Sequence, residues 1–197
     1  KGSEIFSCIM GTIRDFKYKK VKNFLSNEEI KLLKNYCIIK HRLNFSEFDD
    51  QQSINRDTKF LADPLMESLM LNKKNKMEDE TGLELLPTYS YWRFYSKFAD
   101  LEKHKDRPSC EISITVKIDS DKTNWPIFIE GTSIELERGD GVIYLGCELE
   151  HWREDFEGDY HIQTFLHYVD KNGPNKEWSM DKRKLYGLNK ENLLTWK

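Results

Sequence analysis

The amino-acid sequence predicts an α+β fold that is mainly β, with N-terminal helices packed on a β-sandwich core. Up to about residue 83, the apolar side chains recur with the 3.6-residue period of amphipathic helices. From Leu86 onward, apolar and polar residues alternate with the two-residue period of half-buried strands. Two helices followed by a run of antiparallel strands are typical of an α+β protein.

Length and composition predict one domain without a broad charged surface. The chain has 197 residues, and its 31 basic and 34 acidic side chains are interspersed, with a formal net charge of −3. This balance favours neither a nucleic acid nor a membrane surface as partner, and no apolar run is long enough to span a bilayer. We predict a single domain over 1–197, with a helical lead-in at about 20–83, a strand-rich core at about 86–170, and a polar C-terminal extension at 171–197. A short helix is expected near 179–186.

Two helix starts are visible in the lead-in. Ser26 followed three residues later by Glu29 is a capping box, which predicts a helix over about 27–40. Asp63-Pro64 places an aspartate at the N-cap and a proline in the first turn of a second helix. Gly82 is expected to end this helix, because glycine readily adopts the left-handed conformation of a C-terminal cap.

The remaining lead-in segments carry weaker signals. We expect residues 5–25 to be irregular or to contain a short strand, and residues 44–60 to form a polar surface loop. The four cysteines lack the spacing of zinc ligands, so we expect reduced, mostly packed thiols, with Cys110 and Cys147 serving neither as metal ligands nor as a disulfide. The four are Cys8, Cys37, Cys110 and Cys147.

Strands are predicted at about 87–95, 110–119, 126–130, 133–137, 142–146 and 160–169. The second and the last of these have one apolar face and one polar face. Buried polar groups cost free energy unless a partner satisfies them, so a bound metal ion and an anionic ligand would explain both polar faces. The polar side chains are Glu111, Ser113, Thr115 and Lys117 on one strand, and His161, Gln163 and His167 on the other.

Three further segments, together with these strands, carry a specific resemblance. His104 and Asp106 stand two residues apart just before the strand at 110–119, and His151 follows the strand at 142–146. With the segments Trp125-Pro126-Ile127-Phe128-Ile129 and Leu136 to Tyr144, the sequence resembles the Fe(II)- and 2-oxoglutarate-dependent dioxygenases over about residues 20–170. Within them it is similar to the prolyl 4-hydroxylase-like branch, and to small phage-encoded members in particular.

The resemblance implies a double-stranded β-helix, or jelly roll, with His104, Asp106 and His151 as catalytic residues and ligands of Fe(II). It also implies 2-oxoglutarate and O₂ as cosubstrates. Three protein ligands on one face of the metal leave three positions open, two for the 2-oxo acid and one for O₂. The expected location is the cytoplasm, or the host cytoplasm if the protein is phage-encoded.

In many prolyl hydroxylase relatives, a basic residue on the strand after the second histidine pairs with the far carboxylate of 2-oxoglutarate. Here that position holds His161, which is a weaker and pH-dependent cation. We therefore assign the far carboxylate to Lys117, on the polar face of its strand. Arg153 is the rival cation, and we expect it at the rim near the substrate or in a salt bridge. Supporting hydrogen bonds are expected from His161, Tyr95, Thr115 and Gln163.

Three nearby residues have less specific expectations. We expect His167 to pack in the core. Arg93 is in phase with Tyr95, which leaves both the pocket and the core open for its side chain. Arg107 is expected either to support the neighbouring ligand Asp106 or to contact the substrate.

The leading functional hypothesis is hydroxylation of a side chain, most plausibly prolyl, in a protein or peptide, with release of succinate and CO₂. One alternative keeps this chemistry and changes the substrate to a free amino acid or another small metabolite. An alternative of another class is a catalytically silent jelly-roll protein that only binds a ligand. A nucleic-acid demethylase is disfavoured, because the near-neutral charge offers no phosphate track.

Overall fold

The computed structural model describes residues 11–43 and 57–187. Its helices are α1 (Ile13–Phe16), α2 (Asn27–Arg42) and α3 (Pro64–Thr81), and two 3₁₀ segments cover Pro108–Cys110 and Lys176–Lys182. Its strands are β1 (Tyr18–Val21), β2 (Thr58–Leu61), β3 (Leu85–Ser96), β4 (Leu101–His104), β5 (Ile112–Ser120), β6 (Ile127–Ile129), β7 (Thr132–Ile134), β8 (Gly141–Tyr144), β9 (His151–Arg153) and β10 (Tyr160–Asp170).

The strands form two antiparallel sheets. One has six strands in the order β1-β8-β5-β10-β3-β2, and the other has four in the order β4-β9-β6-β7. Long β10 lies at the centre of the first sheet, between β3 and β5. The α+β, mainly β prediction is therefore confirmed, and each predicted strand corresponds to a strand of the structure within a few residues.

Both predicted helices begin as their capping signals indicate. The Ser26 side chain accepts a hydrogen bond from the Glu29 amide at 3.2 Å, and the Glu29 carboxylate accepts one from the Ser26 amide at 2.8 Å. The Asp63 carboxylate accepts one from the Leu65 amide at 3.0 Å. Gly82 follows α3 in the left-handed conformation, with φ of 70°.

The core between the helices and the six-stranded sheet determines which way the strands face. Met66, Met70 and Met77 of α3 share one buried cluster with the apolar side of β5. That side consists of Ile112, Ile114, Val116 and Ile118, each fully buried. The polar side of β5, and the polar side of β10 beside it, therefore face the space between the two sheets, which we call the sandwich interior.

The lead-in differs from the prediction in two places. Thr58–Leu61 is strand β2 and not loop. It forms the edge of the six-stranded sheet and pairs with β3, a long-range contact that four residues do not encode locally. The rest of the predicted loop, 44–56, lies outside the described residues. The N-terminal segment contains the expected short strand, β1, but also the short helix α1.

The C-terminal extension also differs. The expected helix near 179–186 is a 3₁₀ segment at Lys176–Lys182, and the backbone leaves helical geometry at Ser179. Within the described ranges, no helix is both long and apolar enough to cross a membrane. The boundaries of the predicted single domain remain a prediction.

Candidate metal and anion site

Three residues, from β4, from the loop after it and from β9, come together at one end of the sandwich interior. His104 ends β4, His151 begins β9, and the two are register partners in the four-stranded sheet. Nε2 of each histidine lies 3.6 Å from the same atom, Oδ1 of Asp106. The donor atoms of the three side chains lie within 4.8 Å of one another. The structure therefore places the three residues predicted as metal ligands within reach of one ion.

Hydrogen bonds orient both imidazole rings toward a shared centre. Nδ1 of His104 lies 2.7 Å from the Glu102 carbonyl, and Nδ1 of His151 lies 3.0 Å from the Leu149 carbonyl. A carbonyl only accepts, so each Nδ1 carries the proton. The Nε2 atom of each neutral ring is then left with a lone pair, as metal ligation requires.

Asp106 is fixed by its backbone and by a close glycine. Its amide donates to the Gly146 carbonyl at 2.8 Å. A Cβ on Gly146 would overlap the Asp106 carboxylate and the Cys110 carbonyl, so this position has room only for glycine. Burial would raise the pKa of Asp106, but the facing imidazoles of His104 and His151 outweigh it and lower the pKa, which keeps the carboxylate ionised.

A second cluster shares Asp106. The donor atoms of Asp106, Cys110 and His167 also lie within 4.8 Å of one another. Cys110 Sγ lies 3.0 Å from the Tyr89 hydroxyl, and burial raises the pKa of this thiol well above its usual value, so it stays protonated. A protonated thiol is a poor metal ligand, which favours the two-histidine cluster as the metal site.

The described cysteines are free thiols: Cys37, Cys110 and Cys147. The prediction that Cys110 and Cys147 form no disulfide is confirmed, and the prediction that neither binds metal stays a prediction. Cys8 lies outside the described residues.

Arg107 supports the neighbourhood of the metal site. Its guanidinium makes two hydrogen bonds to the Asp181 carboxylate, at 2.9 and 3.0 Å, and lies 4.6 Å from the centre of the Tyr89 ring. Tyr89 packs against His167 with the two rings tilted by 36° and their centres 4.5 Å apart. The C-terminal 3₁₀ segment is thus tied to the residue next to Asp106.

His167 is buried, as predicted. Its Nδ1 lies 2.8 Å from the Ser113 hydroxyl, and burial lowers its pKa to about 4. The ring is therefore neutral at physiological pH, and it packs beside the metal site without adding charge.

A buried guanidinium marks the other end of the interior. Arg153 of β9 is 3% exposed, its Nη1 donates to the Trp125 carbonyl, and its guanidinium lies 4.6 Å from the centre of the Trp125 ring. Nε of Arg153 is buried without a hydrogen-bond partner, and no acidic side chain of the described residues pairs with Arg153. Burial lowers its pKa to about 10, so it remains charged.

The expectation that Arg153 lies at the rim or in a salt bridge is wrong. The two-residue period of a strand places it on the same face as the ligand His151, and that face points inward. The spacing was present in the sequence and could have indicated it.

Lys117 and His161 lie near Arg153. Burial is the main cause that lowers the pKa of Lys117, and the charge of Arg153 lowers it further. The pKa of His161 is held well below its usual value, first by burial and then by Arg153 and Lys117. His161 is therefore neutral, and the two cations of this group are Arg153, fully buried, and Lys117, half-buried.

A chain of hydrogen bonds lines the wall between these cations and the metal end. Gln163 Nε2 donates to the Thr115 hydroxyl at 2.5 Å, and Gln163 Oε1 lies 2.6 Å from His161 Nε2. Tyr95 packs edge-on against Trp125, with ring centres 4.8 Å apart. The structure thus brings together all six residues predicted for the cosubstrate; Trp125, which holds Arg153, was not predicted.

Comparison with solved structures identifies the fold. A prolyl-4-hydroxylase from Pseudomonas putida superposes with a TM-score of 0.62 at 12% identity, over 81% of this chain and 97% of that one. A prolyl hydroxylase from Trichoplax adhaerens, in complex with a fragment of hypoxia inducible factor, gives 0.65 at 10% identity, over 87% and 90%. This chain has the fold of the 2-oxoglutarate and Fe(II) oxygenases.

The same fold serves small-molecule chemistry in a third structure. The α-ketoglutarate-dependent carbocyclase SnoK from nogalamycin biosynthesis gives a TM-score of 0.65 at 12% identity, over 81% of each chain. No protein-family model and no curated protein matches the sequence. The jelly-roll prediction is confirmed by the shared fold, whereas a choice of substrate does not follow from identities this low.

The side chains at the two ends of the interior fit the metal ion and the cosubstrate of this fold, Fe(II) and 2-oxoglutarate. Two imidazoles and one carboxylate with converging donor atoms suit Fe(II), which favours a two-histidine, one-carboxylate face. The unpaired Nε of Arg153, with Lys117 nearby, suits a desolvated carboxylate such as that of 2-oxoglutarate.

Proposed function

We propose that the protein is an Fe(II)- and 2-oxoglutarate-dependent oxygenase that hydroxylates a C–H bond of an organic substrate. The observation that carries this proposal is the placement of His104 Nε2 and His151 Nε2 at 3.6 Å from one oxygen of Asp106. Nδ1 of each ring bonds a backbone carbonyl, so Nε2 is the atom that each ring turns toward the shared centre, as metal ligation requires.

The proposed ligands of Fe(II) are His104, Asp106 and His151. With 2-oxoglutarate and O₂, the bound iron would supply the oxidising chemistry that releases succinate and CO₂ and hydroxylates the substrate. The protein's own contribution is to hold the three donor atoms on one side of the ion. The carbonyls of Glu102 and Leu149 fix the rings, and Gly146 leaves room for the carboxylate.

The proposed seat of the far carboxylate of 2-oxoglutarate is the pair Arg153 and Lys117. We assign Arg153 the larger share of carboxylate binding, because it is fully buried and its Nε has no hydrogen-bond partner, whereas Lys117 is half-buried. This order reverses the one expected from sequence. His161, Gln163 and Thr115 would line the seat as neutral hydrogen-bonding groups, and Tyr95 would close it beside Trp125.

The proposed substrate remains a side chain of a protein or peptide, with proline first, or a free amino acid or small metabolite. Two of the similar structures are prolyl hydroxylases, one with a peptide bound, which supports the first class. The similar carbocyclase supports the second. A cytoplasmic location stays a prediction from sequence.

The test of the proposed activity is succinate formation by the purified protein with Fe(II), 2-oxoglutarate and O₂. Wild-type protein should form succinate at a low rate without substrate, and Asp106→Ala should form none. Metal and 2-oxoglutarate binding without oxygen should be measured in parallel by calorimetry. Binding of both with no succinate in any condition would favour the catalytically silent alternative, and binding of neither would end the proposal.

A further inference from the structure

Strand β2, with the residue before it, directs two charged side chains toward the sandwich interior. Its alternate residues Thr58 and Phe60 face the helices: Phe60 stacks on Trp92 with ring centres 5.0 Å apart, and the Thr58 hydroxyl lies 2.8 Å from His41 Nδ1. Asp57 and Lys59 therefore face the opposite side, because successive side chains of a strand alternate between its faces.

A polar row crosses the sheet on that side. Lys59 is the register partner of Arg93, Arg93 of Gln163, and Gln163 of Lys117. Directly opposite residues of neighbouring strands share a face, so the row runs from β2 into the wall of the proposed cosubstrate seat. Arg93 also lies 4.7 Å from the centre of the Tyr95 ring, which joins the two regions.

One ammonium at the β2 end of the row has no hydrogen-bond partner among the described residues. Both Nε and Nη2 of Arg93 lie 2.5 Å from Oδ2 of Asp57, so this carboxylate oxygen is bound by Arg93 and not by Lys59. The ammonium of Lys59 adds a further positive charge. Lys59 is only 4% exposed, and its Nζ has no hydrogen-bond partner. Asp57 Oδ1 is likewise buried without a hydrogen bond.

An unpaired buried ammonium is costly, and a buried carboxylate oxygen without a donor adds to the cost. Together they are complementary to one kind of ligand: an anionic group for Lys59, with an N–H donor close to it for Asp57 Oδ1.

We propose that Lys59 and Asp57 hold the substrate, binding a carboxylate on Lys59 and an adjacent N–H group on Asp57 Oδ1. A free amino acid offers both groups, and so does an acidic residue of a peptide. This inference rests on the proposed oxygenase function and names the chemistry of its substrate. The site differs from the cosubstrate seat: Lys117 on β5 is three strands from Lys59, about 14 Å at the usual strand spacing. That is farther than a five-carbon diacid reaches.

The first experiment measures succinate formation above the substrate-free rate with two panels of compounds. One panel contains the free amino acids, each matched by its carboxamide. The other contains end-capped proline peptides with glutamate or aspartate beside the proline, each matched by its glutamine or asparagine version. We expect stimulation only by members with the carboxylate, and the panel that responds identifies the source. Equal stimulation by a matched amide, or no stimulation in either panel, would overturn the assignment.

The variants Lys59→Met, Lys59→Arg and Lys122→Met show whether Lys59 is responsible. Lys122 is an exposed lysine, so the same Lys→Met change at this position serves as the control. Lys59→Met should lose at least tenfold in stimulation by the responding compounds, Lys59→Arg should keep part of it, and Lys122→Met should match wild type. The substrate-free rate and 2-oxoglutarate binding should stay unchanged in all three. Unchanged stimulation in Lys59→Met overturns the proposal, whereas absence of the substrate-free rate in wild type contradicts the oxygenase function itself.

A second readout does not depend on activity. If Lys59 is kept for a ligand and not for stability, Lys59→Met should raise the melting temperature of the ligand-free protein by about 2–4 °C. Lys122→Met should leave it unchanged. A lower melting temperature for Lys59→Met would show that the ammonium has a structural role and would overturn the proposal.

Discussion

The two ends of the sandwich interior are electrostatic opposites. At one end, the Asp106 carboxylate lies between two imidazoles, and the donor atoms of the three residues converge on a point where a cation fits. At the other end, Arg153 and Lys117 are positive, and no acidic side chain of the described residues pairs with either ammonium or guanidinium. A ligand that binds the metal with one end and carries a carboxylate at the other would satisfy both ends of the interior.

The two ends are also built differently. The metal end combines local features, the two-residue spacing of His104 and Asp106 and a carbonyl two residues from each histidine, with one pairing of β4 and β9 that brings in His151. The anion end brings single residues from β3, β5, β9 and β10 together. Mutations should therefore separate the two ends: changes at the first should affect metal binding, and changes at the second should affect 2-oxoglutarate.

The largest effect is expected at the metal end. Asp106→Ala or His104→Ala leaves two ligands, and affinity for Fe(II), or for Co(II) as a spectroscopic substitute, should fall on the order of 100-fold or more. Metal titration without oxygen measures this. The exposed Asp155 provides the control Asp155→Ala, which should bind metal like wild type. Full metal stoichiometry and turnover in His104→Ala would remove the ligand assignment.

At the anion end, Arg153→Met should weaken 2-oxoglutarate binding about 10- to 100-fold, because a charge-assisted hydrogen bond to a desolvated carboxylate contributes about 1.5–3 kcal/mol. Lys117→Met should have a smaller effect, since this side chain is half-buried. Metal affinity should stay the same in both variants. Calorimetry with 2-oxoglutarate gives both values.

The reverse order, a large loss in Lys117→Met and none in Arg153→Met, would return the assignment to Lys117. A fall in metal affinity in either variant would mean that the two ends are not independent.

Gly146 tests whether the metal end depends on space for Asp106. Gly146→Ala places a methyl group against the Asp106 carboxylate, and metal affinity should fall about 10- to 100-fold, as when a residue that supports a ligand is changed. Gly131→Ala is the control: nothing lies within 4 Å of the added carbon, so this variant adds backbone strain at a φ of 81° without a contact to any ligand residue. Equal metal affinity in the two variants would show that Asp106 tolerates the displacement.

The smallest expected effect is a pH dependence at the anion end. His161 is buried among Arg153, Lys117 and Tyr95, and its pKa in the folded protein lies well below the ordinary value of about 6.5. The folded state therefore binds this proton less readily than the unfolded state. The stability contribution is fully present above about pH 6.5 and is lost as pH falls below it.

Urea unfolding of the ligand-free protein at about pH 7.5, 6.5 and 5.5 measures this. Below about pH 6.5, wild type should lose up to about 1.4 kcal/mol per pH unit more than His161→Gln. His41 and His167, whose pKa values are also lowered, are present in both proteins and cancel in the difference. Parallel curves would mean that His161 takes up its proton in the folded state as easily as in the unfolded one.

The sequence alone determined the parts that depend on neighbours in the chain. The capping box at Ser26 and Glu29 and the aspartate N-cap at Asp63 were readable, because the atoms that bond lie within three residues. The alternation on β5 was also readable, since the strand period fixes which side chains share a face. The three metal ligands were found through a resemblance to known dioxygenases, and the structure brings them together.

Only the tertiary structure decided which cations are buried and unpaired. The sequence places Lys117 on a predicted strand and Lys59 in a predicted surface loop, but burial depends on which strands pair and on what covers them. Lys59 lies on β2, which pairs with the distant β3, and its side chain is buried. The two-residue period indicates which face of β9 Arg153 shares with His151, whereas its burial depends on packing against Trp125 from another segment. Contacts between residues distant in sequence set the burial of these cations, and no local pattern encodes it.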